Sequence, residues 1–350
     1  MKLPAAVRGE PAAKVSGLIL LLAVELTVFT TLSSDFLTSS NLFNIMALDT
    51  ENGIIALGMA IVIASGGIDL SVGSILALSS VTLGYAVQHG QPVLVAAVVC
   101  VGTALACGLI NGFLVVALRL HPLLVTLGTL AAYRGLALGI SNGNGFSDFP
   151  ASFEYFGQTY IGPVPAQVVV WLLLALAVYL AVRATTAGRR LLAVGINEVA
   201  ASFAGIRVGG VRLAVYGTSG LLTGIASLIF SSRVFSVRGD AGSGLELLAI
   251  AAVVVGGASI RGGEISVTRT TLAVIVIGVI PDGLQLANID TSWQYVTIGV
   301  VMVAAIVINE LLVSRSPAMR SRTPSRATER QDTWTDTDGV ASSGGQQPSR

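Results

Sequence analysis

The sequence predicts an all-α protein, a polytopic membrane helix bundle of about ten transmembrane helices, some of them broken. Only 11% of its 350 residues are charged, where a soluble domain carries roughly 25%. Apolar residues make up 53% and the mean hydropathy is +0.80. Apolar runs repeatedly approach the roughly 20 residues that cross a bilayer as a helix.

In chain order the spans are 15–34, 43–64, 70–88, 92–118, 122–141, 165–183, 212–231, 245–260, 266–287 and 293–313. The first follows Lys2, Arg8 and Lys14 without a clear small-residue cleavage site, so it reads as an uncleaved span behind a cytoplasmic segment, 1–14. The second begins with the polar cluster Asp49, Thr50, Glu51 and Asn52. In the fourth, Cys100 and Cys107 stand two turns apart on one face, a rise of about 10 Å that forbids a disulfide. Gly102–Ala106 and Gly108–Gly112 in that span have the small-xxx-small spacing of close helix approach. The polar, aromatic loop 142–164 and the basic loop 184–211 are the two long connections. Residues 15–313 thus form the transmembrane domain, and 314–350 have too few apolar residues to bury and read as a disordered tail.

Lys and Arg accumulate on cytoplasmic loops. With the N-terminus inside, the inner segments hold Lys2, Arg8, Lys14, Arg119, Arg183, Arg189, Arg190, Arg207, Arg261, Arg315 and the tail arginines. The outer loops hold only Arg233 and Arg238, and Arg134 lies within the fifth span. Both termini are therefore expected in the cytoplasm. A net charge of +1 points to no nucleic-acid partner. His89 and His121 stand alone, so no metal site is predicted and the chain is expected to carry no cofactor of its own.

The stretch "SGGIDLSVGS", 65–74, interrupts the apolar sequence. Gly66 and Gly67 suit a helix end at positive φ, and Asp69 is placed to cap the next helix. Alternatively, with Ser71 and Gly73, the break lines a translocation path, since non-helical backbone is tolerated at membrane depth where protein or water covers it. Further on, "INEVAASFAGI" has Asn197 as N-cap, Glu198 in the first turn and Gly205 past the end. Val199 and Phe203 share a face of this two-turn helix.

Intramembrane ionisable groups are functional candidates by default, and here they are Glu25, Asp49, Glu51, Arg134, Glu246 and Asp282. Glu25 and Glu246 equally suit snorkelling or a partner helix, and Arg134 suits pairing with a carboxylate. Sugar hydroxyls need matching polar groups, making Glu51, Asn52, Asn142, Asp282 and Gln285 a candidate substrate path. The only lysines, Lys2 and Lys14, precede the first span, so no phosphate-cradling G-x-x-x-x-G-K loop is encoded.

"GMAIVIASGGIDLSVGSILAL", "NGFLV", "HPLLVTLGTLAAYRGLAL", "GRRLLAVGINEVAASFAGI" and "ELLAIAAVVVGGASIRGG" together resemble, in order, the inner-membrane permease subunits of ribose-type ABC importers, which carry monosaccharides or autoinducer-2. Ile265, Arg269 and the Pro281–Gly283 "PDG" depart from the family's glycines and Asn-Asn-Gly, which bears on the packing of spans eight and nine. The resemblance implies a cytoplasmic coupling helix around Gly188, Gly195, Asn197, Glu198, Ala201, Phe203 and Gly205. It also implies a separate ABC ATPase subunit, a second permease copy or paralogue, an extracytoplasmic sugar-binding protein and a lipid environment. The solute would be a pentose, deoxyhexose or autoinducer-2, and the chain would be a transport subunit and not an enzyme. An ion-coupled secondary transporter is the rival, because broken helices also hold coupling ions. A membrane-embedded enzyme would need a clustered catalytic set.

Overall fold

The computed structural model describes residues 12–290 and a few positions between 293 and 303. The predicted tenth span, 293–313, lies almost wholly outside the described residues, as do the tail 314–350 and most of segment 1–14. The helices are α1 (Ala12–Leu32), α2 (Ser39–Leu48), α3 (Thr50–Ala64), α4 (Val72–Gln88), α5 (Val93–Ala117), α6 (Pro122–Ser141), α7 (Ala166–Ala184), α8 (Thr186–Ile196), α9 (Glu198–Phe203), α10 (Val208–Val234), α11 (Leu245–Val255) and α12 (Val267–Leu286). Six of them, α1, α5, α6, α7, α10 and α12, are long and apolar enough to cross a bilayer. The pair α2–α3 adds a seventh span if counted as one, bent by 45°, while α4 and α11 are shorter apolar helices. The chain is a multi-pass helical membrane protein.

The second span starts earlier than the apolar run indicates. Thr38 caps α2 by accepting from the Asn41 N–H at 3.3 Å, which moves Asp49–Asn52 from the span's outer end to the bend inside it. All fifteen residues of α3 are buried, which explains why its sequence shows no polar face. It packs against α7, α10, α11 and α12.

Small residues set the closest helix approaches. At Gly108 of α5 a Cβ would strike the Tyr216 carbonyl and Gly220 of α10, and Gly112 lies against Leu213. Gly102, by contrast, faces open space and is not part of this seam. Between α4 and α10, Ser227 bonds Ser79 at 2.9 Å and Ser80 at 2.8 Å, and Ser231 donates to Ser80 at 3.1 Å. Such interhelical bonds contribute about 0.6 kcal/mol each in a bilayer. Spans eight and nine stay close despite the departures at Ile265 and Arg269, because Gly256, the C-cap of α11, abuts the Thr270 backbone of α12. Both cysteines are buried free thiols.

The loop 142–164 is folded onto the end of α10. Its 3-10 turn, Ala151–Phe156, buries Phe153 against Phe149 and Phe235, with centroids 4.6 and 6.2 Å away. A short hairpin, β1 (Tyr160–Ile161) with β2 (Val164–Pro165), leads into α7. Ser232 donates to the Phe153 carbonyl at 2.6 Å and Gln158 to the Ser232 carbonyl at 2.7 Å.

Candidate functional site

The break between α3 and α4 is built from local turn chemistry and then clamped by neighbours. Gly66 has φ +83°, its N–H bonds Ile63 O at 2.9 Å and the Gly67 N–H bonds Val62 O at 3.0 Å. This is the Schellman closure, which requires the left-handed residue a glycine supplies. Gly67 itself does not adopt positive φ; it is small because the Tyr216 hydroxyl lies where its Cβ would be. Thr126 of α6 bonds the Ile68 carbonyl at 3.2 Å and Tyr216 of α10 does so at 3.4 Å.

Asp69 corrects one expectation. The N-cap of α4 is Ser71, with no capping bond from its side chain. Asp69 Oδ1 instead accepts from the Ser71 N–H at 3.0 Å and the Ser71 hydroxyl at 2.6 Å, an Asx turn that begins two residues before the N-cap. Asn111 of α5 donates to Ser71 Oγ at 2.7 Å, and Tyr133 of α6 donates to Asn111 Oδ1 at 3.2 Å. The completely buried carboxylate therefore ties the break to two other helices. Gly73 admits the approach of Glu246 and the Gly242 carbonyl. Asp69→Asn keeps an acceptor for Ser71 and is expected to retain the fold and most transport. Asp69→Ala leaves buried donors unmet, a cost of about 1–3 kcal/mol, and is expected to lose both. Thermal melts and uptake of both variants check this; an asparagine variant that is stable but inactive assigns Asp69 to the transport path.

The polar bend at α2–α3 collects some of the predicted path residues. Glu51 and Asn52 are buried, and Glu51 Oε1 pairs with Arg233 Nε of α10 at 2.8 Å. Arg233, counted above as an outer-loop charge, belongs to the last turn of α10 and its guanidinium lies 5.7 Å from the Phe230 ring centroid. Gln167 of α7 donates to the Ala47 carbonyl at 3.2 Å, and Trp171 fills the space beside Gly53. Asp49 lies against Gly278 of α12, and one turn on Asp282 accepts from Asn41 at 2.8 Å. Glu51, Asn52 and Asp282 thus surround one bend. Asn142 does not join them: it is the exposed left-handed C-cap of α6, with φ +48°. Gln285 is exposed beyond Asp282. Arg134 donates to the Gly239 and Ala241 carbonyls at 3.0 and 2.6 Å, so backbone acceptors hold the side chain for which carboxylate pairing was one reading. Glu246 Oε1 accepts from the Gly244 N–H at 3.2 Å, whereas Glu25 is buried on α1 with no hydrogen bond among the described residues. In the α10–α11 loop, the hydrogen bond from Arg238 holds the Asp240 carboxyl below its ordinary value.

The basic loop folds as two helices, where the sequence indicated one. Thr185 caps α8 by accepting from the Gly188 N–H at 3.2 Å, and Gly188 packs on the last turn of α7. Asn197 Oδ1 accepts from the Ala200 N–H at 2.9 Å, the expected N-cap of α9. Gly205, at φ +81°, closes α9 with a second Schellman pair: its own N–H bonds Ser202 O and the Ile206 N–H bonds Ala201 O. Ala201 faces inward, Glu198 pairs with Arg212, and Val199 and Phe203 are 65% and 89% exposed. Gly195, at the end of α8, packs onto the Ala64 carbonyl that ends α3, and the Gly263 N–H bonds that same carbonyl at 2.9 Å. Gly262 in turn lies against Gly195 and Gly66. No sequence signal linked these three glycine-containing segments.

These features define the class: a multi-pass membrane protein with broken spans, buried polar groups at the breaks and a helical basic loop docked onto one of them. Residues 41–306 match the family described as branched-chain amino acid transport system / permease component, and the chain belongs to that family. It is similar to the ribose import permease protein RbsC of Bacillus subtilis (strain 168), 36% identical over 280 residues, 79% of this chain and 87% of the relative. It is likewise similar to RbsC of Escherichia coli (strain K12), 34% identical over 83% of this chain and 92% of the relative. The autoinducer 2 import system permease protein LsrD of Klebsiella pneumoniae is 33% identical over 86% of this chain and 92% of the relative.

Proposed function

We propose that this chain is the permease subunit of an ATP-binding cassette importer for a monosaccharide-like solute: a pentose, a deoxyhexose or autoinducer-2. The relatives' names support the solute class, and the exposed apolar face of α9 carries the mechanism. A capped two-turn helix is too short to be stable alone, yet this one is mounted on buried Ala201 and presents Phe203 almost fully exposed. Such a face suits a groove on a separate ATPase chain. Two permease copies, or one with a paralogue, would enclose the path, and an extracytoplasmic binding protein would deliver the solute.

In this reading α8 and α9 receive the ATPase's movement and pass it to the end of α3 through the Gly195–Ala64–Gly263 contacts. Fifteen residues make α3 a rod of roughly 22 Å. Its far end carries Glu51 and Asn52 at the bend, so a push at Ala64 would move the polar groups offered to the solute. Phe203→Ala should leave the chain folded in the membrane while weakening co-purification of its ATPase at least about tenfold, the loss of one well-buried aromatic anchor. Undiminished association with full uptake would remove α9 from the interface. Uptake sensitive to vanadate and resistant to protonophores is expected; the reverse pattern would favour the ion-coupled rival.

The same reading places the chain in the cytoplasmic membrane with both termini inside, 1–14 and 314–350 flanking the transmembrane domain. Reporter fusions after residue 320 and within 145–160 should report opposite compartments. A shared compartment would overturn this topology.

A further inference from the structure

A cavity of about 760 Å³ opens between α7, α8 and α10. That is within the roughly 300–1,000 Å³ of small-molecule sites. Its walls are apolar, with Val178 and Val182 from α7, Leu191 from α8 and Val215 from α10, and among the described residues its lining contains no carboxylate. Arg190 and Arg207 stand at its rim, both exposed and neither in an ion pair among the described residues. The lining of α7 reaches from Val182 back to Ala177, seven residues from the helix end at Ala184. At 1.5 Å per residue this is a depth of about 10 Å, comparable with the roughly 15 Å of hydrocarbon in one leaflet. Beside the cavity, Leu176 and Leu180 of α7 are half exposed, as lipid-facing residues are.

We infer that this cavity binds one anionic glycerophospholipid of the cytoplasmic leaflet, its acyl chain between α7 and α10 and its phosphate between Arg190 and Arg207. The charge pattern selects this occupant. A neutral solute would leave two unpaired guanidinium groups at the rim, and arginine forks match phosphate oxygens bidentately. The apolar depth matches a chain and not a headgroup alone. The site touches the machinery proposed above, because Leu191 lies on α8 and Gly205 and Ile206, which also line the cavity, follow α9. A bound lipid would therefore brace the coupling loop from the bilayer side. The binding itself needs only the cavity and the membrane location and stands whether or not α9 meets an ATPase.

The test uses the full chain purified in neutral detergent and exchanged into mixed micelles of phosphatidylglycerol or phosphatidylcholine, with lipids retained counted by native mass spectrometry. Wild type should retain one phosphatidylglycerol with roughly thirtyfold preference, the effect of two basic residues at an anionic surface. Arg190→Gln with Arg207→Gln should lose the preference, and Ala214→Trp, which fills the cavity from α10, should retain neither lipid. Melting curves show that each variant is folded. Equal retention of both lipids by wild type, or unchanged retention in the filled variant, would overturn the assignment. A filled variant that loses only self-association, with lipid retention intact, would do the same by giving the cavity to a second copy of the chain.

Discussion

Replacing Arg233 by methionine is expected to destabilise the protein by about 3–5 kcal/mol, the cost of leaving a buried charge without its partner. The Glu51 side chain is 3% exposed, and Arg233 Nε, 2.8 Å away, is its ion-pair partner. Water cannot replace that guanidinium at such burial. Glu51 would have to bind a proton or pull the α2–α3 bend open, and either route raises the energy of the folded chain. The double variant Glu51→Gln, Arg233→Met removes both charges and should recover most of the loss, since a neutral amide costs far less to bury than a carboxylate. Unfolding in detergent, followed for both singles and the double, gives the coupling energy. If Arg233→Met melts with wild type, the pair is ornamental and the bend is held by packing around Trp171.

Gly195→Ala is expected to abolish most transport while leaving the chain inserted in the membrane. The added methyl would clash with the Ala64 carbonyl oxygen and the Gly263 nitrogen, both backbone atoms that cannot rotate away. Relief requires α8 to lift from the end of α3, which breaks the 2.9 Å bond from Gly263 to Ala64. Overpacking of this kind costs about 1–3 kcal/mol. The local cost is modest, but the proposed link between coupling loop and bend is lost. Gly90→Ala is the control: Gly90 has φ +76° with nothing within 4 Å, so its replacement carries a backbone strain that Gly195 lacks but no clash. Uptake in vesicles with the assembled ATPase should fall more than about tenfold for Gly195→Ala, as a 1 Å misplacement can in a positioned system. Gly90→Ala should stay within about twofold of wild type, since its cost is that of one strained residue at a loop tip. Equal uptake by both variants would separate α3 from the coupling loop.

Much of the fold was legible because its signals are local. Charge depletion and run length placed nine apolar runs: seven meet a helix long enough to cross a bilayer or the bent pair, and two meet the shorter helices α4 and α11. Asn197, Glu198 and Gly205 announced a capped short helix, and Gly66 announced a left-handed helix end, because caps and left-handed residues act over three or four positions. The start of the second span was misplaced for the same reason: Thr38 and Ser39 precede a weakly apolar turn, and the polar residues at 49–52 look like a boundary when their burial is unknown.

What only the tertiary structure decided is which side chains meet. Glu51 and Arg233 are 182 positions apart, and the Ala64 carbonyl meets Gly195 and Gly263 from two separate loops. Asp69 holds Ser71, which Asn111 and Tyr133 link to α5 and α6, in place of the helix end it faces in sequence. In a soluble protein the rotation of each helix is written as a polar and an apolar face. Here lipid and protein interior are equally apolar, so α3 carries the same residue types all round. Its rotation is set by where glycines let neighbouring backbones approach and where buried polar groups find partners. The sequence alone thus determined that the chain crosses a membrane repeatedly, where the break after α3 falls and which loop carries a short capped helix. The packing determined which of its buried polar residues share a bend, and that this bend and the basic loop lie at the two ends of one helix.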